Sequence, residues 1–246
     1  MSETPSLYEM DPAIYDTYID TPMERRNFDA VFKRMQPLMG KRTRILDMCC
    51  GTGSFPRRWL VGQGGITYVG VDINEAFLAY ARKHLDDPHY TFVHGDAVDA
   101  DFGRGAFDVV LMTSAYHHIE DGKKRPFLFN ARRQMKESGR GIAYEKFVAP
   151  FDTAAQAAEG AVRLYSERTL DMLKEGQLNN EQLFALCNEM YLTAIRQGEY
   201  KVSFRQFVQD ALAVGLMVRD PERLWPNDER FGDPSVGDFV ATLTWR

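Results

Sequence analysis

Three aspartates and two glycines stand where apolar segments of the sequence end. Asp47 closes one apolar run and is followed by a turn that contains Gly51 and Gly53. Asp72 closes a second run about 20 residues further on, and Asp96 follows a third. Glycine lets the backbone approach a ligand closely, and a carboxylate at this distance accepts hydrogen bonds from ribose hydroxyls in doubly wound sheets. The pattern therefore predicts a strand-to-helix turn that binds a nucleotide-like ligand.

The complete set of motifs resembles the class I S-adenosylmethionine (SAM) dependent methyltransferases. The resemblance rests on Asp47-x-Cys49-x-Gly51-x-Gly53, then Asp72, then His94-Gly95-Asp96-Ala97, and covers residues 41–148. It implies that Asp72 binds the ribose of SAM, that Asp96 binds the adenine amine and that the amide of Ala97 faces an adenine ring nitrogen. The family usually has glycine at the position of Cys49. The predicted cofactor-binding residues are Tyr15, Tyr18, Arg25, Asp47, Cys49, Gly51, Gly53, Asp72, Ile73, Asp96, Ala97 and Thr113.

Three of these residues come from the segment before the first predicted strand. In the superfamily this segment often folds over the cofactor, and its tyrosines and arginines bind the SAM carboxylate. The resemblance therefore makes Tyr15, Tyr18 and Arg25 candidates for that contact. The competing interpretation is that they are packing and surface residues.

The candidate catalytic residues are His117, Glu145 and Tyr165. His117 follows the fourth predicted strand, where a switch-point site would place it at the mouth of a pocket, and an imidazole there is suited to proton transfer. Glu145 lies in the fifth predicted strand beside Lys146, and such a buried pair is costly without a purpose. The alternative for His117-His118-Ile119 is a strand-to-helix link typical of the family, without a catalytic role.

The three cysteines predict neither a disulfide framework nor a metal quartet. Cys49 and Cys50 are adjacent, which strains a disulfide between them, and Cys187 is alone. A redox or metal role for Cys49 competes with the interpretation that both thiols pack under the turn. No metal site is predicted from these residues.

Apolar periodicity predicts alternating strands and helices with a helical insertion, and the resemblance implies an α/β fold with a doubly wound, seven-stranded, mostly parallel sheet of the Rossmann-like type. We divide the chain into an N-terminal cap and first helix (1–40), a SAM-binding core (41–149), a helical lid (150–202), and a C-terminal helix and strand hairpin that complete the core (203–246). The fifth strand is predicted over residues 141–148, after a helix that carries Met135 on its apolar face and ends near Ser138-Gly139. The insertion holds two helical stretches, which favour either a lid or a dimer interface.

The composition of the chain limits the classes of molecule that we expect it to bind. The net charge of −5 and the lack of clustered Lys and Arg argue against nucleic-acid binding. No apolar run reaches the 18–20 residues, roughly, of a membrane span, and the N-terminus lacks a signal-peptide pattern. These observations predict a cytoplasmic protein with a small-molecule substrate and a possible homodimer.

The predicted activity is SAM-dependent methyl transfer to a small molecule. The insertion also resembles in layout the carboxy-SAM synthases and the azetidine-2-carboxylate synthases, which implies an alternative in which SAM itself is the substrate. A cage of pocket tyrosines, drawn from Tyr15, Tyr18, Tyr116, Tyr165 and Tyr191, would suit that alternative through cation–π attraction. A non-catalytic SAM-binding subunit remains open, whereas an NAD-dependent oxidoreductase would need G-x-G-x-x-G, which this turn lacks.

Overall fold

The computed structural model describes residues 11–176 and 178–246. Its centre is a seven-stranded sheet with the strand order β3-β2-β1-β4-β5-β7-β6. The strands are β1 (Thr43–Met48), β2 (Ile66–Asp72), β3 (Tyr90–His94), β4 (Phe107–Thr113), β5 (Met135–Phe147), β6 (Leu216–Trp225) and β7 (Gly237–Trp245). β7 runs antiparallel to β5 and β6, and the other pairs are parallel. The predicted doubly wound sheet with a C-terminal hairpin is confirmed.

Seven α-helices accompany the sheet in the described part of the chain. They are α1 (Pro12–Ile19), α2 (Pro22–Met35), α3 (Glu75–His84), α4 (Lys124–Gln134), α5 (Ala154–Lys174), α6 (Asn180–Ile195) and α7 (Phe204–Ala213). Single turns of other helical types span Gln36–Leu38, Pro56–Leu60, Tyr116–His118 and Asp121–Lys123. No helix among residues 11–176 and 178–246 is long and apolar enough to cross a bilayer. The first ten residues of the predicted 1–40 segment lie outside the described residues.

Side-chain alternation along the strands builds an apolar layer on each face of the sheet. Ile45 of β1 and Leu111 of β4 belong to one layer, whereas their neighbours Leu46 and Val110 belong to the other. Because successive side chains in a strand point to opposite faces, strands covered on both sides must be apolar throughout. The first layer also receives α1, α2, α3, α5 and α6, and the second receives α4 and α7.

The fifth strand begins earlier than the sequence predicts. β5 starts at Met135 rather than at Gly141, so the prediction of a helix that continues past Met135 to Ser138-Gly139 is wrong. Met135 pairs with Phe107, and the register then shifts so that Arg140 pairs with Val109. The extra residues of this irregularity lie around Gly139, where the backbone runs 2.9 Å from the position that a side-chain Cβ would occupy. Pairing with β4 therefore extends the strand past the glycine that looks like its boundary.

The 150–202 segment forms a helical hairpin on the first face of the sheet. α5 and α6 begin at capping boxes, with Thr153 and Asn179 as the N-cap residues. α5 contacts α6, and α6 also contacts α1. Whether the hairpin works as a lid stays a prediction.

Candidate SAM site

A cavity of about 380 Å³ lies at the carboxyl ends of β1, β2 and β4. The strand order reverses between β1 and β4, and doubly wound sheets bind ligands in the crevice at this point. Its size falls within the usual range of small-molecule sites. The lining residues among those described are Tyr15, Ile19, Phe28, Asp47, Cys49, Cys50, Gly51, Thr52, Ser54, Phe55, Asp72, Ile73, Phe77, Asp96, Ala97, Val98, Thr113, Ser114, His118, Ile119, Glu120, Lys123, Gly198 and Tyr200.

The two glycines of the turn after β1 have different surroundings. Gly51 lines the cavity with a φ of +55°, and a Cβ there would come within 3.7 Å of the Tyr15 ring. Gly53 has a φ of +67° but is not among the lining residues; a Cβ there would come within 3.0 Å of both Ala81 and the Phe92 ring. Gly51 therefore presents backbone to the cavity, whereas Gly53 lets the turn pack against α3 and β3.

Asp72 ties the turn to the end of β2. Its Oδ2 accepts a hydrogen bond from the Gly51 amide at 2.8 Å, and its Oδ1 accepts one from the Asn74 amide at 2.9 Å. Burial raises the pKa of Asp72, and these backbone donors act against that rise. Each carboxylate oxygen has a second lone pair, so the group can still accept two hydroxyl hydrogen bonds from a ligand. The exposed side chain of Ile73 lies beside it on the cavity wall.

Asp47 reaches the cavity wall with one oxygen unsatisfied. Its Oδ2 accepts a hydrogen bond from the Tyr68 hydroxyl at 2.6 Å, and its buried Oδ1 has no hydrogen-bond partner among the described residues. Burial raises the pKa of Asp47 to about 7. A ligand that donates a hydrogen bond or carries positive charge would satisfy this oxygen.

Asp96 and Ala97 lie at the third strand end, as the resemblance implies. Asp96 Oδ1 accepts a hydrogen bond from the Val98 amide at 2.9 Å. The Ala97 carbonyl accepts one from Asn130 Nδ2 at 2.9 Å, which fixes this peptide against α4. Both residues line the cavity, and so does Thr113 at the end of β4.

Of the predicted residues in the N-terminal segment, the structure brings only Tyr15 to the cavity. Tyr15 packs against Phe77 with ring centroids 4.8 Å apart. Tyr18 is turned toward α6, where its hydroxyl donates to Glu189 at 2.7 Å. Arg25 is exposed and pairs with Asp20 at 2.5 Å. Tyr15 and Ile19 are four residues apart on one face of α1, and this face is the one that meets the cavity.

The three predicted catalytic residues lie behind the cavity wall rather than on it. His117 is buried, with its Nδ1 2.5 Å from Glu145 Oε2. Burial, together with the nearby Lys201 ammonium, lowers the pKa of His117 well below its usual value. Glu145 Oε1 accepts the backbone amides of Ala115 and Tyr116 at 2.8 and 2.6 Å. Glu145 and His117 thus shape the loop after β4, and whether they also act in catalysis stays a prediction.

Tyr165 completes a buried cluster centred on Glu189. Its hydroxyl donates a short hydrogen bond to Glu189, which also accepts from Tyr18. Although burial acts to raise it, the charges of Lys201 and Lys146 lower the pKa of Glu189 to about 2. The expected cage of tyrosines is not assembled, because Tyr15 alone of the five lines the cavity. Tyr116 donates to Asp210, and Tyr191 is half exposed on the outside of α6.

Sequence reasoning missed several residues of the cavity wall. His118, rather than its neighbour His117, faces the cavity, together with Ser114 and Lys123 from the same loop. Gly198 and Tyr200 arrive from the end of the 150–202 segment, where the Tyr200 amide donates to the His117 carbonyl at 2.6 Å. The second histidine of the pair was the available signal for His118. Nothing local in the sequence marks residues 198–200 as a wall of this site.

Comparisons with known proteins agree with this geometry. Residues 45–139 match a methyltransferase domain family. The chain is 30% identical over 161 residues to a demethylmenaquinone methyltransferase of Clavibacter sepedonicus, covering 65% of this chain and 62% of that enzyme. It is 32% identical over 96 residues to an uncharacterised methyltransferase of Synechocystis, covering 39% of this chain and 43% of the relative. The chain therefore spans about half the length of these relatives.

Solved structures show the same fold. A TehB-like SAM-dependent methyltransferase from Corynebacterium glutamicum aligns with a TM-score of 0.56 at 16% identity, covering 88% of this chain and 87% of its own. A geranyl diphosphate C-methyltransferase from Streptomyces coelicolor aligns with a TM-score of 0.61 at 12% identity, covering 89% of this chain and 79% of its own. With the domain match over residues 45–139 and the motifs at the strand ends, these likenesses support the class I SAM-dependent methyltransferase superfamily, whose fold the chain has.

Proposed function

We propose that this protein transfers the methyl group of SAM to a small-molecule acceptor. The observation that carries the proposal is the single cavity wall that brings together the Gly51 turn, the Asp72 carboxylate and the Asp96–Val98 segment. These groups come from three different strand ends, and the resemblance assigns Asp72 to the ribose and Asp96 and Ala97 to the adenine. Bound SAM supplies the activated methyl group, and the protein supplies orientation and a site with restricted access to water.

The charges on the wall suit a cationic ligand. The cavity is lined by four acidic residues, Asp47, Asp72, Asp96 and Glu120. Among its described lining residues, Lys123 alone is a lysine or an arginine. The unsatisfied oxygen of Asp47 adds a specific acceptor to this negative wall. A sulfonium and an ammonium, both present in SAM, are attracted by this arrangement.

We assign the acceptor to the part of the cavity wall formed by the segments after β4 and α6. Ser114 and His118 belong to the first of these segments, and Gly198 and Tyr200 to the second, whereas the residues assigned to ribose and adenine lie at the end of β2 and after β3. A bounded cavity of this size favours a small molecule over a macromolecule. Relatives in the comparison act on demethylmenaquinone and on phthiotriol or phenolphthiotriol dimycocerosates. They support methyl transfer rather than cyclisation of SAM, so azetidine-2-carboxylate formation is not proposed.

Calorimetric titration with SAM tests the binding half of the proposal. We expect Asp72→Asn to weaken SAM binding at least tenfold, since hydrogen bonds to a charged group are worth about 1.5–3 kcal/mol. Asp86→Asn, in an exposed loop, is the matched control and should leave SAM affinity unchanged. Equal affinity of wild type and Asp72→Asn, or tighter binding of NAD than of SAM, would contradict the assignment.

Product analysis tests the reaction. We expect methyl-labelled SAM to yield S-adenosylhomocysteine and a labelled product only when an acceptor is present. Demethylmenaquinone and the phthiotriol and phenolphthiotriol dimycocerosates, which the names of the relatives give, are suitable first acceptors, with smaller phenols and quinols tested beside them. Methylthioadenosine formed from SAM without an acceptor would instead establish that SAM is the substrate.

A further inference from the structure

Two histidines and a glutamate meet at the inner edge of the cavity. His117 and His118 follow β4, and Glu199 follows α6, so the cluster joins two distant parts of the chain. One ligand atom from each of the three residues lies within 4.8 Å of the other two. His117 Nε2 is 3.8 Å from Glu199 Oε2, and His118 Nδ1 is 3.2 Å from Glu199 Oε1. Two imidazoles and a carboxylate at such separations form the ligand set of many divalent-metal sites.

The carboxyl group of Glu145 contacts His117 in the way that a second carboxylate often contacts a metal-binding histidine. His117 Nδ1 lies 2.5 Å from Glu145 Oε2, and two backbone amides hold the other oxygen of Glu145. Because Nδ1 is occupied by Glu145, Nε2 is the ring nitrogen available to a ligand, and it lies 3.8 Å from the Glu199 carboxylate. A carboxylate–histidine–metal triad has this arrangement with a cation between them.

One oxygen of Glu199 lacks a well-aligned hydrogen bond among the described residues. The residue is 1% exposed, and the nearby nitrogen, His118 Nδ1, lies 3.2 Å from Oε1 without hydrogen-bond alignment. Its other oxygen, Oε2, accepts a hydrogen bond from Lys201 at 2.5 Å. Because a buried oxygen without a partner is costly, this atom calls for a ligand. Lys201 leaves Oε1 as the oxygen available to a cation.

Carboxyl groups outnumber cationic side chains among the buried ion pairs around the two histidines. Glu145 and Glu199 contact the histidines, and Lys201 lies 2.5 Å from Glu199 and 3.5 Å from Glu189. Three buried carboxyl groups thus share one ammonium group. A cation bound between the histidines and Glu199 would reduce this imbalance.

We propose that His117, His118 and Glu199 bind one divalent first-row transition metal ion, such as Zn²⁺, Co²⁺ or Fe²⁺. Imidazole ligands favour these ions over Mg²⁺ and Ca²⁺, which prefer oxygen ligands. Three protein ligands leave at least one position open, and His118 lines the cavity, so a hydroxyl or thiol of an acceptor could reach the ion. Binding of an acceptor group to the ion rests on the proposed methyl transfer. Binding of the ion by the three residues does not depend on that proposal.

Cobalt binding is the direct test. The purified full-length protein is treated with a chelator, dialysed and titrated with Co²⁺, whose visible absorption reports nitrogen and oxygen ligands. We expect one Co²⁺ per chain, displaced by Zn²⁺. His118→Ala should weaken binding at least about 100-fold, and Glu145→Gln, which removes the charged partner of His117, by about 10–100-fold.

The matched control is His84→Ala, which removes an exposed histidine of α3 and should leave Co²⁺ binding unchanged. Far-ultraviolet circular dichroism is used to check that each variant is folded. His118 is the preferred site for substitution because its side chain is partly exposed, so its loss disturbs the fold least. Absence of Co²⁺ binding by the wild type, or equal affinity of wild type and His118→Ala, would overturn the proposal. SAM titration is read separately, so a protein that binds Co²⁺ but not SAM would keep this site and lose the proposed function.

Discussion

Cys49 occupies a backbone conformation that suits glycine. Its φ is +68°, in the left-handed region, and Gly51 and Gly53 repeat a positive φ in the same turn. A residue with a Cβ costs roughly 1–2 kcal/mol there, whereas glycine adopts this conformation freely. The half-buried thiol packs against the apolar layer that contains Leu46 and Val71, which offsets part of the cost. The resemblance that places glycine at this position thus has a physical basis in the turn.

This strain predicts an order of stability between two variants. We expect Cys49→Gly to be more stable than Cys49→Ala by about 1 kcal/mol, because both remove the thiol and only glycine removes the left-handed penalty. Urea denaturation of the two variants measures the difference. The same two substitutions at Cys187, inside α6, should give the opposite order, since glycine in a helix costs about 1 kcal/mol relative to alanine. The same order at both positions would contradict the interpretation.

The residues of the site were predictable to different degrees. Asp72, Asp96 and Gly51 follow from strand ends and turn chemistry, which are local properties of the sequence. The place of His118 in the cavity wall was not predictable. Ser114 adopts a φ of +51° and a single helical turn follows, so strand alternation does not tell which of the two histidine rings faces the cavity. The partners of Tyr18 and Tyr165 depend on Glu189, which is distant in sequence.

At the scale of elements, α1 and the end of the 150–202 segment are the parts able to enclose the cavity. α1 contributes Tyr15 and Ile19, and the residues after α6 contribute Gly198 and Tyr200. α5 and α6 themselves contribute no lining residue among those described, and α6 instead supports α1 through the Tyr18–Glu189 hydrogen bond. Two extra amphipathic helices were visible in the sequence, but the surface that they cover depends on these long-range contacts.

Hydrogen exchange tests whether these elements close over the ligand. Covering segments come from the less stable part of a fold, so SAM or S-adenosylhomocysteine should slow amide exchange in α1 and in residues 196–201. Amides of β6 are the internal control and should not change, since none of its residues lines the cavity. Slower exchange in α6 that depends on protein concentration rather than on ligand would identify an interface between copies instead of a lid.

At the scale of the whole molecule, Arg168 of α5 joins three parts of the chain. It is fully buried and donates to Glu24 of α2 at 2.6 Å and, through a short hydrogen bond, to Asp238 of β7. Asn27 Nδ2 also donates to Asp238, at 2.9 Å. The inserted hairpin is therefore attached to the sheet by buried charges as well as by apolar packing. Sequence patterns place α5 but give no sign of this attachment, since its partners are 144 and 70 residues away.

Removing Arg168 should destabilise the whole chain and not the hairpin alone. Arg168→Ala leaves Asp238 buried without its cation and leaves Glu24 with Lys146 alone, at 3.5 Å, and breaking such a buried pair costs about 3–5 kcal/mol. Arg26→Ala is the control; it removes an exposed ion pair with Glu175, which is worth less than about 1 kcal/mol. Urea unfolding followed by circular dichroism and by tryptophan fluorescence measures both variants.

A second variant separates the lost charge from the lost packing. In Glu24→Gln/Lys146→Met/Arg168→Met/Asp238→Asn the four charges of this group are absent together, including Lys146, which pairs with Glu24. We expect most of the stability lost in Arg168→Ala to return. If the quadruple variant is as unstable as Arg168→Ala, packing of the long side chain, and not charge compensation, connects α5 to the sheet. If instead Arg168→Ala loses α5 and α6 in a separate first transition while the sheet unfolds at the wild-type urea concentration, the hairpin is an independent unit, and the buried network does not couple it to the fold.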